Sequence, residues 1–116
     1  MSRSEQAQEL HSCGCNCCQA VVLAFADKLG VDINTAKKMS APFGRGLSGL
    51  REVCGCVSGM ALVCGLTDNG NLVKPLAEKF RAENGDIVCG KLLQMGKRPC
   101  SEMVAQAAQL LEEALD

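Results

Sequence analysis

One apolar stretch occupies the middle of the chain and reads Cys54-Gly55-Cys56-Val57-Ser58-Gly59-Met60-Ala61-Leu62-Val63-Cys64-Gly65-Leu66. It is long enough for three helical turns, and the turn-forming residues that follow it indicate where this helix ends. Gly59 would let a second helix approach closely, although glycine lowers the helix propensity by about 1 kcal/mol. Cys64 has apolar neighbours, so we expect it to pack in the core as a small hydrophobe.

The residues before this stretch predict two further helices. Residues 15–29 are apolar nearly all round and contain no glycine or proline, which is typical of a central, buried helix. Gly30 is a suitable cap for the C-terminal end of this helix. Asp32 or Asn34 can cap a shorter helix, which Pro42 ends.

The remaining segments complete a helical fold. Four glycines between residues 43 and 55 predict a loop that leads into the Cys-Gly-Cys helix. Apolar residues at every fourth position predict a helix over about 72–81. Asp86 can cap a helix that ends near residue 95, and Pro99 introduces a last helix to about residue 115. Because no stretch alternates like a strand, we predict one all-α domain over residues 1–116, an irregular bundle of five or six helices.

The composition limits the classes of function. The chain has 116 residues, a formal net charge of −1 and no Trp or Tyr, and it offers no basic run or aromatic platform to a nucleic acid. The polar N-terminus lacks the hydrophobic core of a signal peptide, and the apolar stretches are too short to span a bilayer. We therefore expect a cytoplasmic protein that binds neither nucleic acid nor membrane.

Nine cysteines are the most unusual feature of the composition. Their odd number and the absence of an export signal disfavour the disulfide framework of a secreted protein. Since the chain has only one histidine, His11, sulfur ligands would dominate any metal site. We expect His11 to lie at the surface, and Arg45 and Arg51 to be solvated charges of the glycine-rich loop.

A first group of cysteines precedes or begins the predicted helix 15–29 and consists of Cys13, Cys15, Cys17 and Cys18. These four thiols lie within six residues and cannot all enter an ordinary core, so some must converge on a ligand or lie exposed. If the segment is helical, Cys13 and Cys17 share one face at i, i+4 spacing. Cys15 and Cys18 form a Cys-x-x-Cys pair.

A second group of cysteines lies at the starts of predicted helices and consists of Cys54, Cys56 and Cys100. Backbone N–H groups at a helix start are unpaired and carry partial positive charge. A thiolate there is stabilised, which lowers the thiol pKa and favours metal binding or nucleophilic attack. Cys89 follows Ile87 and Val88, so its spacing alone favours packing.

Five motifs follow one another along the chain: Asn16-Cys17-Cys18-Gln19-Ala20-Val21, Phe43-Gly44-Arg45-Gly46, Cys54-Gly55-Cys56-Val57-Ser58-Gly59, Cys89 and Cys100. Their order resembles that of the C_GCAxxG_C_C family, from about residue 12 to the end of the chain. Members of this family are described as redox-active proteins with four characteristic cysteines. A related helical domain in split-Soret cytochromes is associated with an iron–sulfur centre.

The resemblance implies a set of ligands and a cofactor. By position, the four family cysteines are Cys17, Cys54, Cys89 and Cys100. They would hold a [2Fe–2S], [4Fe–4S] or larger cluster in a protein that transfers electrons to a redox partner protein. Cys56 and Cys18 replace alanines of the family pattern, and Cys13, Cys15 and Cys64 are additional. The candidates for further metal ligands are therefore Cys13, Cys15, Cys18 and Cys56.

Other classes of function stay open at this point. In a thiol–disulfide enzyme or sensor, Cys54 would attack and a neighbouring cysteine would resolve the mixed disulfide. In a zinc or copper(I) protein, the same soft thiolates would bind the metal for structure, storage or delivery. We favour an electron-transfer or metal-binding protein over an enzyme. A homodimer is a further expectation, because pairing would bury more of this largely apolar chain.

Overall fold

Seven right-handed α-helices build residues 1–115, the part of the chain that the computed structural model describes. These helices, α1 to α7, span Arg3–Ser12, Cys17–Leu23, Ile33–Ser40, Gly55–Leu66, Val73–Asn84, Cys89–Met95 and Cys100–Leu115. Short 3₁₀ turns occur at Ala26–Lys28, Ala41–Phe43 and Gly70–Leu72. No strand is present among the described residues, so the predicted all-α class and irregular bundle are confirmed, with more helices than the five or six expected.

Side-chain caps fix the starts of the first three helices. The Asn16 carboxamide accepts the Gln19 backbone N–H at 2.9 Å, and the Gln19 side chain accepts the Asn16 N–H at 3.0 Å. This reciprocal capping box begins α2 at Cys17. Asp32 caps α3 as predicted, and Ser2 forms a second capping box at the start of α1.

The predicted helix over residues 15–29 is wrong at its C-terminal half, because α2 ends at Leu23. The Phe25 N–H donates to Val22 O at 3.0 Å, which tightens the chain into a 3₁₀ turn. The Arg3 guanidinium donates to Ala24 O at 2.8 Å and lies 4.8 Å from the Phe25 ring centroid. A residue of α1 thus satisfies a carbonyl group that the end of α2 leaves free.

The contact between α2 and α4 forms the centre of the bundle. A side chain at Gly59 would place its Cβ only 2.9 Å from the Val21 Cβ, and one at Gly55 would lie 3.2 Å from the Cys17 Cβ. The two glycines therefore allow the close helix approach that was predicted for Gly59. Around this contact the core is aliphatic and rich in cysteine, with Phe25 and Phe80 as its largest buried side chains.

The predicted glycine-rich loop contains a left-handed turn at Gly44–Ser48. The φ angles of Arg45, Gly46 and Leu47 are 56°, 65° and 73°, which is the left-handed region. Gly46 is required here because a Cβ at this position would lie 2.6 Å from the Arg51 Cα. The Asn16 side chain also donates to Ala41 O at 3.0 Å, so the turn is held against the start of α2.

A short antiparallel contact between Val53 and Val88 holds the segments before α4 and α6 together. The Cys54 N–H donates to Ile87 O at 2.7 Å, and the Cys89 N–H donates to Glu52 O at 2.6 Å. These bonds place two cysteines that are distant in sequence side by side.

None of the helices within residues 1–115 combines the length and the apolar character needed to cross a bilayer.

Candidate functional site

Five of the nine cysteines line one cavity of about 330 Å³. They are Cys15, Cys17, Cys54, Cys89 and Cys100. The cavity thus brings together all four cysteines that the family resemblance implied as ligands. It does not include Cys13, Cys18 or Cys56 among its lining residues.

Each of the four family cysteines lies at the beginning of a different helix. Cys17, Cys89 and Cys100 are the first residues of α2, α6 and α7, and Cys54 is the N-cap of α4. The bundle therefore directs four helix starts at one cavity. At a helix start the side chain is close to backbone N–H groups that have no intrahelical partner. Such groups stabilise a thiolate or a thiolate-bound metal centre.

Cys17 has the most strongly activated thiol of the site. A hydrogen bond from the Cys56 thiol is the main cause that lowers the Cys17 pKa to about 6. His11 adds to this effect, with its Nε2 atom 3.9 Å from the Cys17 Sγ atom. Cys17 is therefore mostly a thiolate at neutral pH, although it is partly buried.

The pKa of Cys54 is lowered in a similar way, although this cysteine is almost fully buried. A hydrogen bond from the Cys56 thiol lowers its pKa, and the backbone N–H groups of Cys56 and Val57 act in the same direction. The helix start thus contributes as predicted, although the neighbouring thiol is the larger cause. For Cys100, burial and the neighbouring Cys17 thiolate raise the pKa to about 11, so its helix start does not lower the pKa.

Cys56 and Cys18 lie behind the cavity wall. The Cys56 side chain has no exposed surface, and its one S–H can donate to the Cys17 sulfur or to the Cys54 sulfur, but not to both at once. These two contacts, together with burial, raise the Cys56 pKa well above its ordinary value. Burial raises the pKa of Cys18 to about 12. Both cysteines therefore border the site as thiols without facing the cavity.

Cys13 and Cys64 are distant from this arrangement. The predicted i, i+4 face of Cys13 and Cys17 is wrong, because α1 ends at Ser12 and Gly14, with a φ of 109°, reverses the chain. Cys13 is exposed and lines a different surface hollow, next to Leu10 and Leu23. Cys64 is buried in α4, which confirms that it packs in the core.

Three basic residues line the cavity, and the sequence did not predict this. They are His11, Arg45 and Arg51, and no Asp or Glu among residues 1–115 lines the cavity. The Arg51 Nη1 atom lies 3.6 Å from the Cys89 Sγ atom, and the guanidinium donates a hydrogen bond to this sulfur. For His11, the signal in the sequence was Gly14, because the chain reverses there and brings the end of α1 back to Cys17.

The cysteines that line the cavity fit an iron–sulfur cluster in kind and number. In a [4Fe–4S] cluster each cysteine thiolate binds a different iron, and in a [2Fe–2S] cluster each iron takes two thiolates, so in both cases the four sulfur atoms surround a volume rather than meet at one point. Here the four family cysteines surround a cavity next to hydrogen-bond donors and positive charge. Among residues 1–115, no group of three or more His, Cys, Asp or Glu side chains is arranged to hold a metal ion.

Comparison with known proteins gives one match. A family model described as "Putative redox-active protein (C_GCAxxG_C_C)" matches residues 15–114, which is most of the chain. The comparisons with curated proteins and with solved structures give no match.

Proposed function

This chain belongs to the C_GCAxxG_C_C family of redox-active proteins, and from this premise we propose that it is an iron–sulfur protein that transfers electrons. The proposed ligands are the four family cysteines, Cys17, Cys54, Cys89 and Cys100. The observation that carries the proposal is their convergence: they are spread over 84 positions of the sequence, yet all four line one cavity at the start of a helix.

The surroundings of the four thiols suit a negatively charged cluster. Four thiolates suffice to hold one, and the cluster would supply reversible electron uptake and release. The Cys54 sulfur accepts hydrogen bonds from backbone N–H groups, and the Cys89 sulfur accepts one from the Arg51 guanidinium. Hydrogen bonds to ligand sulfur and nearby positive charge stabilise the reduced, more negative state. These residues would therefore raise the reduction potential.

The surface beside the cavity suits a redox partner protein. Arg45 and Arg51 lie in the cavity wall, and Leu50 and Leu93 are 67 % and 51 % exposed on the neighbouring segments. Because the described part of the chain places no carboxylate in the cavity wall, the partner that fits is an electron carrier with an acidic surface around its own redox centre. In this proposal the protein works in the cytoplasm, where cysteines stay reduced.

The test is a metal and sulfide count on protein purified anaerobically from its native host. We expect iron and acid-labile sulfide in similar amounts, with visible absorption that bleaches on reduction. Serine variants of Cys17, Cys54, Cys89 and Cys100 should each lose most of this iron, whereas the control Cys64→Ala should keep it. Colourless protein without iron and sulfide after reconstitution, or stoichiometric zinc or copper in their place, would contradict the proposal.

A further inference from the structure

We infer that Arg45 and Arg51 together form a binding site for a small oxyanion, either the carboxylate of a small organic acid or an inorganic oxyanion. Both arginines lie in the wall of the cysteine-lined cavity. The site goes beyond the proposed electron transfer, because it gives the protein a small-molecule ligand in addition to a partner protein. It does not depend on an iron–sulfur cluster, since two guanidinium groups and none of the cysteines would hold the anion.

The two arginines of the cavity differ from the other arginines of the chain in their lack of a carboxylate partner. Three of the five arginines form ion pairs, which are Arg3–Asp27, Arg81–Glu78 and Arg98–Glu83. Within residues 1–115, no Asp or Glu forms an ion pair with Arg45 or Arg51. An anion from solution can therefore take the place that a carboxylate side chain occupies at the other three arginines.

Most of the hydrogen-bond donors of the two guanidinium groups are also free. A guanidinium carries five N–H donors in a planar fork, which matches the paired oxygens of a carboxylate or of an inorganic oxyanion. Arg51 uses one donor at the Cys89 sulfur, and the Arg45 side chain makes no hydrogen bond to any described residue. Asn16 also lines the cavity, but its side-chain oxygen already accepts the Gln19 N–H. The remaining donors are available to a molecule that enters the cavity.

The backbone brings the two arginines to one place. The Arg51 N–H donates to Arg45 O at 3.3 Å, so the two side chains start from neighbouring points of the left-handed turn and its exit. Both residues have positive φ angles, 56° and 59°, a conformation that glycine adopts with less strain. The backbone therefore gives no reason for an arginine at either position, whereas a shared ligand in the cavity does.

A second hollow gives a small anion room beside the cysteines. Its volume is about 360 Å³, and it shares Gly14, Asn16 and Arg45 with the cysteine-lined cavity. The other residues that line it are uncharged and consist of Gln19, Ala41, Gly44, Ser48 and Gly49. No carboxylate from the described part of the chain is present there to repel an anion. An anion can thus contact the Arg45 guanidinium without displacing a centre that the cysteines hold.

The experiment measures whether an oxyanion protects the two arginines from modification by phenylglyoxal. It uses the full-length, metal-free, reduced chain, with acetate and sulfate as separate probes and chloride at equal ionic strength as the reference. Trypsin does not cleave after a modified arginine, so mass spectrometry of the digest gives the rate at each arginine. At a probe concentration about five times the Kd, the rates at Arg45 and Arg51 should fall about sixfold, with one common midpoint, while the rate at Arg81 stays unchanged.

The two probes distinguish the sources of the oxyanion. Protection by acetate alone would support the site and identify its ligand as a carboxylate, and protection by sulfate alone would support it and identify an inorganic oxyanion. Protection by neither probe would overturn the inference. Equal protection of all five arginines, or equal protection by chloride, would overturn it as well, because either result indicates an effect of ionic strength and not a site.

Two reciprocal variants test whether the arginines share one ligand. Arg51→Gln should abolish the protection of Arg45, and Arg45→Gln should abolish the protection of Arg51. The control Arg81→Gln removes the same charge from the exposed side of α5 and should leave both protected. Circular dichroism checks that each variant keeps its helices. Full protection of Arg45 in folded Arg51→Gln would overturn the shared site, and no result of this metal-free experiment depends on the iron and sulfide count that tests the proposed function.

Discussion

At the scale of single residues, the site depends on the difference between Cys17 and its neighbours. The Cys56 thiol and His11 hold the Cys17 pKa at about 6, whereas burial raises the pKa of Cys18 to about 12. Adjacent cysteines of one helix therefore have opposite protonation states at neutral pH. This separation lets one cysteine act as a thiolate while the others keep the proton that stabilises it.

The pH dependence of alkylation tests the state of Cys17. The thiolate is the reactive form, so in the metal-free protein the rate with iodoacetamide at Cys17 should rise with pH to a midpoint of about 6 and then level off. In the chain unfolded by urea the midpoint should be about 8.5. Tryptic cleavage gives a peptide over residues 4–28 that also contains Cys13, Cys15 and Cys18, and tandem mass spectrometry of this peptide measures the rate at Cys17. The same midpoint in folded and unfolded protein would show that the neighbours of Cys17 do not activate it.

The site residues that the sequence identified are those that belong to the family motif. The resemblance to the family implied Cys17, Cys54, Cys89 and Cys100, which share the cavity, whereas spacing alone predicted that Cys89 would pack in the core. His11 was not selected, because its role depends on the chain reversal at Gly14 and not on any residue next to it in sequence. The two arginines were not selected either, because their position depends on the left-handed turn.

At the scale of helices, the contact between α2 and α4 positions the central part of the site. Cys17 begins one of these helices and Cys56 lies in the first turn of the other. Their separation is therefore set by how closely the two helix axes approach. Gly59 limits this distance, because any side chain there would overlap Val21.

Two alanine variants of α4 measure this contact. Gly59→Ala would place a Cβ 2.9 Å from the Val21 Cβ, so we expect the free energy of unfolding to fall by about 1–3 kcal/mol despite the better helix propensity of alanine. Gly65→Ala, on the same helix, meets nothing within 4 Å and should be neutral or stabilising by up to about 1 kcal/mol. Urea unfolding under reducing conditions gives both values. Equal effects of the two changes would argue against a close contact at Gly59.

Helix ends that have a local cause were predictable, and those with a distant cause were not. Asp32 caps α3 through a bond to a residue three positions on, which the sequence shows directly. At the end of α2 the Ala24 carbonyl is bonded by Arg3, a residue of another helix, and no glycine or proline follows Leu23 before Gly30 to mark this end in the sequence. The glycines of the loop predicted a turn, but its left-handed course depends on the contact between Gly46 and Arg51.

At the scale of the whole molecule, the charge is unevenly distributed. The chain has a formal net charge of −1, yet the cavity is lined by Arg45, Arg51 and His11, and no carboxylate of the described residues lines it. A positive cavity in an otherwise slightly acidic protein attracts anions and repels cations. The same field would guide an acidic partner to the surface beside the cavity.

Charged and neutral reagents of similar size measure this field. The ratio of the Cys17 modification rate with iodoacetate to that with iodoacetamide should fall by about tenfold in Arg45→Glu/Arg51→Glu at low salt. In the natural chain the ratio should also fall as salt is added. Lys79→Glu changes an exposed charge that does not line the cavity and should leave the ratio nearly unchanged. A ratio that responds equally to all of these changes would indicate net charge, not the cavity, as the cause.

The left-handed turn between residues 44 and 48 lowers the stability of the fold, but one of its residues contributes positive charge to the cavity. Arg45, Leu47 and Ser48 all have positive φ, and each non-glycine residue in that region costs about 1–2 kcal/mol. An engineer who wanted a hardier protein would introduce glycine here, and Leu47 or Ser48 would be the first positions to try. The same replacement at Arg45 would also relieve strain, but it would remove half of the arginine charge that lines the cavity. At Arg45, therefore, a glycine that stabilises the fold would weaken the attraction of negatively charged molecules to the cavity.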